Sequence, residues 1–366
     1  MKKPIDISFF GSSLVSSYWN GAATYYRGIL KALAERGHKI TFYEPDAFDR
    51  QKNRDMEDPP WAKVVVYPAD SPDVVGSLLE KCRQSDVIIK ASGVGVFDEL
   101  LEAGVLEDRG NHRRVIFWDV DAPATLDRVH ADLHDPFREL IPRYDYILTY
   151  GGGTPVTNAY GALGAKYCLP IYNALDPDTH YPVEPDSKFS ADLAFLGNRL
   201  PDREARVQEF FFDVADALPN YSFLLGGSGW DNRMMPANVR YVGHVGSELH
   251  NALNSSVRAV LNVSRDSMAR FGFSPATRVF EAAGAGACII TDDWEGIDQF
   301  FIPDEEILVA GSREGVMRHL EELTIARAAE IGEAARQKVL SSHTYRQRVE
   351  ELEPLLESLP TRALSR

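Results

Sequence analysis

Short apolar runs alternate with amphipathic segments along most of the chain. Residues 5–10 (IDISFF) are an apolar, β-rich run that ends at Gly11, which predicts a strand. The next apolar positions recur at the spacing of one helix face, at Tyr26, Ile29, Leu30 and Leu33. Gly37 follows at the place of a helix-terminating glycine, and residues 38–44 predict a second strand. A strand, a helix and a strand in this order predict a parallel β-α-β unit.

The same alternation continues through the chain and predicts an α/β protein. Short continuous apolar strands are typical of a parallel sheet that is covered on both faces. In the first half, further strands are predicted at 64–67, 86–90, 114–118 and 146–149. In the second half, strands are predicted at 192–197, 221–225, 239–242, 257–263, 287–291 and 307–309. Helices are predicted at 72–84, across 207–218, at 278–285 and through 313–358.

Residues 169–190 separate the two series of strands, because this segment has four prolines and no helical periodicity. We interpret it as a linker between two tandem Rossmann-like, doubly wound domains. The predicted domains are residues 1–170 and residues 171–345. Residues 346–366 are predicted to be a helix that crosses back to the first domain. Such domains bind ligands at the carboxyl ends of their strands, which predicts a cleft between them as the functional site.

Composition narrows the classes of function. The chain has 366 residues and a formal net charge of −15, from 54 acidic and 39 basic residues, so a nucleic-acid-binding role is not expected. The three cysteines, Cys82, Cys168 and Cys288, have no zinc-binding spacing, and no metal ligands are predicted. No apolar run approaches the roughly 20 residues of a membrane span. A cytoplasmic protein is expected.

The segment with the clearest chemical pattern lies in the second half. A strand ends in residues 260–265 (VLNVSR), and a loop then leads to a helix that carries Arg278 and Glu281. A helix N-terminus offers N–H groups to phosphate oxygens, and Arg265 or Arg278 would add a charge-assisted grip on a diphosphate. Glu281, three residues after Arg278, would accept hydrogen bonds from ribose hydroxyls. The alternative is an ion pair between Arg278 and Glu281 on the helix surface.

This segment resembles the donor-site signature of the GT-B glycosyltransferases, and more closely that of their CgeB-like (spore-maturation) branch. The shared pattern is Asn262, Arg265, residues 278–282 (RVFEA) and a strand that ends in Thr291 and Asp292. The linker stretch 173–182 (NALDPDTHYP) and the loop 241–249 (YVGHVGSEL) resemble further motifs of that branch.

The resemblance implies a GT-B fold and a nucleotide-sugar donor on the second domain. The sequence does not identify the base, and UDP is the nucleotide that we expect. The resemblance also implies that Glu281 contacts the ribose, that nearby arginines hold the diphosphate and that the chemistry needs no bound metal. The chain departs from many retaining members of the fold at Phe273, which stands where they carry a glutamate eight residues before the second one. A direct contact of such a glutamate with the sugar is therefore not carried over.

Other donor-site candidates follow the other strands of the second domain. Gly197, Arg199 and Arg203 come after the strand at 192–197, where similar enzymes place a glycine and a basic residue near the phosphates. Gly227 and His244 lie in glycine-containing loops that would let a nucleobase approach the backbone. For Arg203 the alternative is an exposed helix start, and for the glycine-rich loops it is a tight turn.

In the first domain, Asp119 and Asp121 end a strand and are candidates for taking the acceptor proton or stabilising charge in the transition state. The alternative for Asp121 is capping of the following helix.

The first loop, with Gly11, Ser12, Asn20 and Gly21, is a candidate acceptor or cleft loop. It lacks the G-x-G-x-x-G fingerprint of dinucleotide-binding domains, which disfavours an oxidoreductase.

Taken together, these patterns predict a glycosyltransferase that acts on an unidentified acceptor. One alternative is a nucleotide-sugar epimerase of the same fold, which would turn over its donor without an acceptor. Another is a degenerate, non-enzymatic structural or assembly protein, which the missing glutamate at Phe273 would allow.

Overall fold

The computed structural model describes residues 3–107 and 113–357. The described residues up to Tyr172, together with those from Tyr345 onward, form a first unit. The segment Asn173–Thr344 forms a second unit.

The described part of the first unit contains a fully parallel sheet. Its strands are β1 (Asp6–Phe10), β2 (Lys39–Asp46), β3 (Ala62–Pro68), β4 (Val87–Ala91), β5 (Arg114–Asp119), β6 (Tyr146–Thr149) and β7 (Cys168–Pro170). Their order is β3-β2-β1-β4-β5-β6-β7. Strand β7 extends into the stretch predicted to be a linker. Because it is a three-residue edge strand that ends in Pro170, it leaves almost no pattern in the sequence.

Helices cover this sheet and build its core. They are α1 (Ala23–Glu35), α2 (Asp73–Cys82), α3 (Asp98–Gly104), α4 (Ala122–Ala131), α5 (Phe137–Leu140) and α6 (Gly153–Ala162). Phe9 of β1 stacks on Phe42 of β2 with ring centroids 5.2 Å apart, and the edge of Tyr26 from α1 meets the Phe9 ring. Helix α4 entered the sequence analysis only as the helix that Asp121 would cap. Helices α3, α5 and α6 were not predicted, because α3 and α5 have only seven and four residues and α6 contains two glycines and a proline.

The described part of the second unit also has a fully parallel sheet. Its strands are β8 (Ala191–Leu196), β9 (Phe223–Gly226), β10 (Val239–Tyr241), β11 (Val257–Asn262), β12 (Ile289–Asp292) and β13 (Leu308–Ala310). Their order is β10-β9-β8-β11-β12-β13. One core cluster joins Phe195 of β8, Leu261 of β11 and Ile290 of β12 to helix side chains such as Phe211 and Leu320.

The helices of the second unit are short around the site and long toward the end of the chain. They are α7 (Glu204–Val207), α8 (Asp213–Ala217), α9 (His250–Ser256), α10 (Asp266–Phe271), α11 (Thr277–Gly284), α12 (Arg313–Glu322) and α13 (Ile325–Ser342). A π-helical stretch, Gln208–Phe212, joins α7 to α8.

The last helix, α14 (Tyr345–Glu357), belongs to the first unit and packs on α1. A Cβ atom on Gly28 of α1 would lie 2.1 Å from the ring of Tyr345, so this contact requires glycine. At the other end Glu353 accepts hydrogen bonds from Arg36 at 2.6 Å and lies 3.1 Å from Nε2 of His38. Of the predicted helix 346–366, residues 358–366 lie outside the described residues.

Parallel strands bring their carboxyl ends to one edge of a sheet, and loops at that edge carry the functional groups in doubly wound folds. In the second unit the loops after β8, β9, β11 and β12 therefore lie side by side. Within the described ranges, no helix combines the length and apolar character needed to cross a membrane.

Candidate functional site

Two glycine-containing loops cross at the carboxyl edge of the second sheet. Gly227 follows β9 with a φ of 123°, and a Cβ atom there would lie 2.3 Å from the carbonyl oxygen of Gly197, which follows β8. The N–H of Gly227 donates to the carbonyl of Gly243 at 2.7 Å. The indole N–H of Trp230 donates to the carbonyl of Gly197 at 2.8 Å. The two loops are thus held in backbone contact, which a larger residue at position 227 would prevent.

Two guanidinium groups converge on Gly197. A Cβ atom at this position would lie 2.9 Å from Nη2 of Arg203 and 3.1 Å from Nη2 of Arg278. The same two groups lie over the ring of Phe195, with their carbon atoms 5.4 and 5.5 Å from its centroid. Two positive charges therefore stand together at the end of β8.

The partners of these two arginines are neutral. Arg278 donates from Nη1 to Oδ1 of Asn262 at 3.0 Å, and Nδ2 of Asn262 donates to Oγ1 of Thr291 at 3.0 Å. Arg203 donates from Nη2 to the carbonyl of Asn198 at 2.6 Å, while its buried Nε has no hydrogen-bond partner. Among the described residues neither arginine forms an ion pair with a carboxylate. An anionic ligand would supply the missing partner.

Burial makes this arrangement costly without such a ligand. Loss of solvent, followed by the nearby charge of Arg278, lowers the pKa of Arg203 to about 9. Burial likewise lowers the pKa of Arg278, although Glu281 and Asp292 act in the opposite direction. A bound anion would favour the charged form of both groups.

The other two predicted arginines already have carboxylate partners. Nη2 of Arg199 lies 2.5 Å from Oε1 of Glu204, and Nε of Arg265 lies 2.5 Å from Oδ2 of Asp202. The sequence has no feature that distinguishes the paired arginines Arg199 and Arg265 from Arg203 and Arg278. In the structure, their side-chain partners distinguish them.

Glu281 lies one helical turn after Arg278 on α11 and is 9% exposed. The two side chains form no ion pair in the described part of the chain, and Glu281 is not on the protein surface. The proposed surface pair between them is therefore wrong. Instead, Oε1 of Glu281 lies 3.9 Å from Nε2 of His180.

A second charged group lies next to the arginine pair. Both carboxylate oxygens of the fully buried Asp292 accept from the N–H of Ser264, at 3.1 and 3.0 Å, and Oδ2 accepts from Arg206 at 2.6 Å. Burial raises the pKa of Asp292. This closed network holds the loop after β11 in place. Arg206 was missed by the sequence analysis, which had no signal for it.

His244 lies in the loop after β10 and is exposed. It follows Gly243, whose carbonyl accepts from Gly227, so its backbone is near the crossed loops. No contact of the described residues joins its side chain to Arg203 or Arg278.

In the first unit, the two predicted acids, Asp119 and Asp121, differ in burial and in hydrogen bonding. Asp119 is fully buried, and its oxygens accept from Tyr160 at 2.5 Å, from Thr125 at 3.0 Å and from the N–H of Asp121 at 3.0 Å. Burial raises the pKa of Asp119. Asp121, at the start of α4, is partly exposed. Its side chain does not cap α4 by a hydrogen bond.

In the first loop, Oγ of Ser12 donates to Oδ1 of Asn20 at 2.8 Å, and Nδ2 of Asn20 donates to the carbonyl of Ser13 at 2.9 Å. Both side chains are buried and brace the loop. A Cβ atom on Gly11 would meet the ring of Phe42, whereas Gly21 faces open space.

One cluster in the second unit is suited to hold a metal ion. A ring nitrogen from each of His180 and His250 and a carboxylate oxygen of Glu281 all lie within 4.8 Å of one another. The sequence analysis predicted no metal ligands, because these three residues are widely separated along the chain and match no metal-binding spacing.

Comparisons with known proteins agree with this architecture. Residues 203–354, which include Arg203, Arg278 and Glu281, match a family model described as glycosyl transferase-like. No curated protein matches the chain.

Solved structures match over nearly the whole chain. The chain is similar to sucrose-phosphate synthase from Thermosynechococcus elongatus, with 13% identity, a TM-score of 0.69 and coverage of 96% of this chain and 98% of that chain. It is similar to an alpha-glucosyltransferase solved with UDP-glucose and DNA containing an abasic site, with 12% identity, a TM-score of 0.71 and coverage of 97% and 100%. It is also similar to Anabaena Alr3699/HepE solved with UDP and glucose, with 14% identity, a TM-score of 0.67 and coverage of 97% of this chain and 100% of that chain.

These likenesses show that the chain has the GT-B fold of two Rossmann-like domains, as the sequence predicted. The family model shows that its second half carries glycosyl transferase-like sequence. The closer resemblance to the CgeB-like branch stays a prediction.

Proposed function

We propose that this protein is a glycosyltransferase that takes its sugar from a nucleoside-diphosphate sugar bound on the second unit. The observation that carries the proposal is the arginine pair: the buried Arg203 and the half-buried Arg278 meet at Gly197, and neither has a carboxylate partner among the described residues. A site that concentrates uncompensated positive charge at the carboxyl edge of a parallel sheet is suited to a diphosphate.

The surroundings of the pair support a diphosphate rather than a single small anion. Asn262 holds Arg278 through Nη1 and leaves its Nη2 near Gly197, beside Nη2 of Arg203. The first turn of α11 has no side-chain cap, so its N–H groups add a further set of donors close to Arg278. Together these groups would contact the oxygens of two linked phosphates.

Glu281 is assigned to the ribose. Its carboxylate lies one turn, about 5.4 Å, along α11 from Arg278, so it is within reach of the nucleoside of a diphosphate that Arg278 holds. We expect UDP as the nucleotide, since two of the similar structures contain UDP or UDP-glucose. The match of residues 278–282 (RVFEA) to the CgeB-like pattern supports a place for the chain in that branch.

In this proposal the arginines stabilise the charge that develops on the departing diphosphate, so the chemistry needs no metal ion. The acceptor would bind the first unit. Of its two predicted acids, only Asp121 has access to solvent, and we assign to it the contact with the acceptor hydroxyl. Asp119 is enclosed by its own hydrogen bonds and is assigned to holding the loop.

A thermal-shift panel with UDP, GDP, CDP, dTDP, ADP and NAD tests the proposal. A ligand at about 100 times its dissociation constant adds roughly 2.7 kcal/mol to the free energy of unfolding, which raises Tm by several degrees. We expect UDP to stabilise the wild type and not Glu281→Ala, while the exposed Glu305→Ala responds like the wild type.

If no nucleotide raises Tm, the proposal is overturned in favour of a non-enzymatic protein. A response to NAD alone would also overturn it. If UDP-sugar binds and is converted without any acceptor, the epimerase alternative is correct.

A further inference from the structure

The two histidines near Glu281 come from separate elements of the second unit. His180 lies in the segment between β7 and β8, and His250 is the first residue of α9. With Glu281 on α11, they place three potential metal-binding atoms within 4.8 Å of one another. Neither histidine has a role in the proposed glycosyl transfer.

The partners of Thr179 favour one arrangement of the His180 ring. Oγ1 of Thr179 lies 2.9 Å from Nδ1 of His180 and 3.1 Å from the carbonyl oxygen of Asp176. When the hydroxyl hydrogen points to Asp176, the hydroxyl oxygen accepts from Nδ1–H. In that arrangement Nε2 offers its lone pair to a cation.

Nε2 of His180 is buried and has no hydrogen-bond partner in the described part of the chain, and the whole residue is only 7% exposed. The nearest carboxylate oxygen, Oε1 of Glu281, is 3.9 Å away. A lone pair that faces a carboxylate in a buried setting is unfavourable. A cation between the two atoms would convert this repulsion into two coordinate bonds.

His250 contributes in the same way. Its Nε2 lies 3.4 Å from the carbonyl oxygen of Val245. When Nε2–H donates to that carbonyl, the lone pair is on Nδ1. A ring nitrogen that donates to a backbone carbonyl is the usual way in which proteins orient a metal-binding histidine.

We propose that His180, His250 and Glu281 bind a divalent transition-metal ion of the zinc type. Two neutral imidazoles and one carboxylate are a known zinc donor set, whereas calcium and magnesium prefer oxygen ligands throughout. Metal–ligand bonds of about 2.0–2.2 Å in tetrahedral geometry place the ligand atoms about 3.4 Å apart. Nε2 of His180 and Oε1 of Glu281, now 3.9 Å apart, therefore have to approach slightly on binding.

One consequence depends on the proposed function. Glu281 is also the residue that we assign to the ribose, so the metal and the nucleotide compete for one carboxylate. Zinc is then an inhibitor of nucleotide binding and not a participant in the transfer.

The test uses the whole chain without an affinity tag. Calorimetry with Zn²⁺ measures stoichiometry and affinity, and visible absorption of the Co²⁺-substituted protein reports nitrogen and oxygen ligands directly. We expect one ion per chain. His180→Ala and His250→Ala should each weaken binding about 100-fold, and Thr179→Val about 10-fold through loss of the Nδ1 partner.

His130→Ala, which removes an exposed histidine of the first unit, is the matched control and should bind Zn²⁺ like the wild type. The proposal is overturned if Zn²⁺ shows no saturable binding at about 0.1 mM, or if His180→Ala and Thr179→Val, folded as judged by circular dichroism, bind it unchanged. In that case the proton alone bridges His180 and Glu281.

Addition of a nucleotide separates this proposal from the proposed function. Competition with Zn²⁺ is measured with uridine, because the diphosphate of UDP would chelate the ion in solution, and competition between uridine and Zn²⁺ supports both proposals. Zinc binding in a protein that binds no nucleotide leaves the metal site standing and removes the glycosyltransferase proposal. Nucleotide binding without zinc binding removes the metal site and leaves the glycosyltransferase proposal standing.

Discussion

The carboxyl edges of the two sheets both carry buried cationic side chains, but these differ in their partners. Lys90 of β4 is fully buried, and its Nζ lies 2.6 Å from Asp98 and 3.9 Å from Glu102. In the second unit, Arg203 and Arg278 have amide and carbonyl partners and, among the described residues, no carboxylate partner. Charges that are paired within the chain support the fold, whereas charges that lack a partner are available to a ligand.

This difference also explains why the acceptor side that we propose is harder to recognise. The carboxylate of Asp119 at the end of β5 and the polar groups of the first loop are occupied by hydrogen bonds within the first unit. In our proposal the acceptor is therefore recognised by groups with access to solvent, such as the partly exposed Asp121. The proposed donor site, in contrast, is marked by two arginines that have no carboxylate partner among the described residues.

The largest effect is expected from the arginine pair. Arg203→Ala or Arg278→Ala should weaken UDP binding about 100-fold, roughly 3 kcal/mol, because each removes a charged contact with the diphosphate. Arg199→Ala, whose guanidinium is paired with Glu204, should change the affinity less than about threefold. Calorimetry with UDP and with uridine measures the affinity of each variant for the two ligands. Equal losses for uridine and UDP would show that the arginines do not contact the phosphates.

The crossed loops give the next largest effect. Gly227→Ala should lower the free energy of unfolding by about 3 kcal/mol or more, because a Cβ atom would clash with the carbonyl of Gly197 at a φ of 123°. Gly243→Ala has a φ of 72° but open space around it, and should cost only about 1 kcal/mol. Urea denaturation compares the two. Equal costs would mean that the loops separate readily.

A smaller effect distinguishes the two acids of the first unit. Asp119→Asn should cost about 2 kcal/mol, because an amide cannot accept all the hydrogen bonds from Tyr160, Thr125 and Asp121. Asp121→Asn should cost less than about 0.5 kcal/mol and reduce transfer. Denaturation and turnover are measured on both. A stable Asp119→Asn without transfer activity would return the catalytic role to Asp119.

The smallest effect concerns the paired charges of the first unit. Burial raises the pKa of Glu102 from 4.5 to about 7. The folded chain thus holds this proton more tightly than the unfolded chain, so the stability contribution is present at low pH and falls as pH rises from about 4.5 to about 7.

Glu102→Gln should remove this pH dependence and be more stable than the wild type by about 1 kcal/mol above neutral pH. Urea denaturation across that pH range provides the measurement. An unchanged pH profile would mean that Lys90 keeps Glu102 ionised throughout.

Much of the architecture was predictable, because strands and helices leave local patterns. Apolar runs located β1, β4, β5, β6 and β8 to within a residue or two. The short helix α5 and the edge strand β7 were missed, since their few residues carry no period and they depend on neighbours for stability.

The sequence by itself determined the alternating α/β order, the positions of the strand ends and the set of polar residues that follow them. Each of these depends on residues close together in the chain. Only the tertiary structure decided that, within the described ranges, Arg203 and Arg278 lack carboxylate partners while Arg199 has one. The same holds for the enclosure of Asp119 and for the proximity of His180 to Glu281. These outcomes depend on which distant side chains become neighbours, because burial and pairing set the energy of a charge and neither is encoded locally.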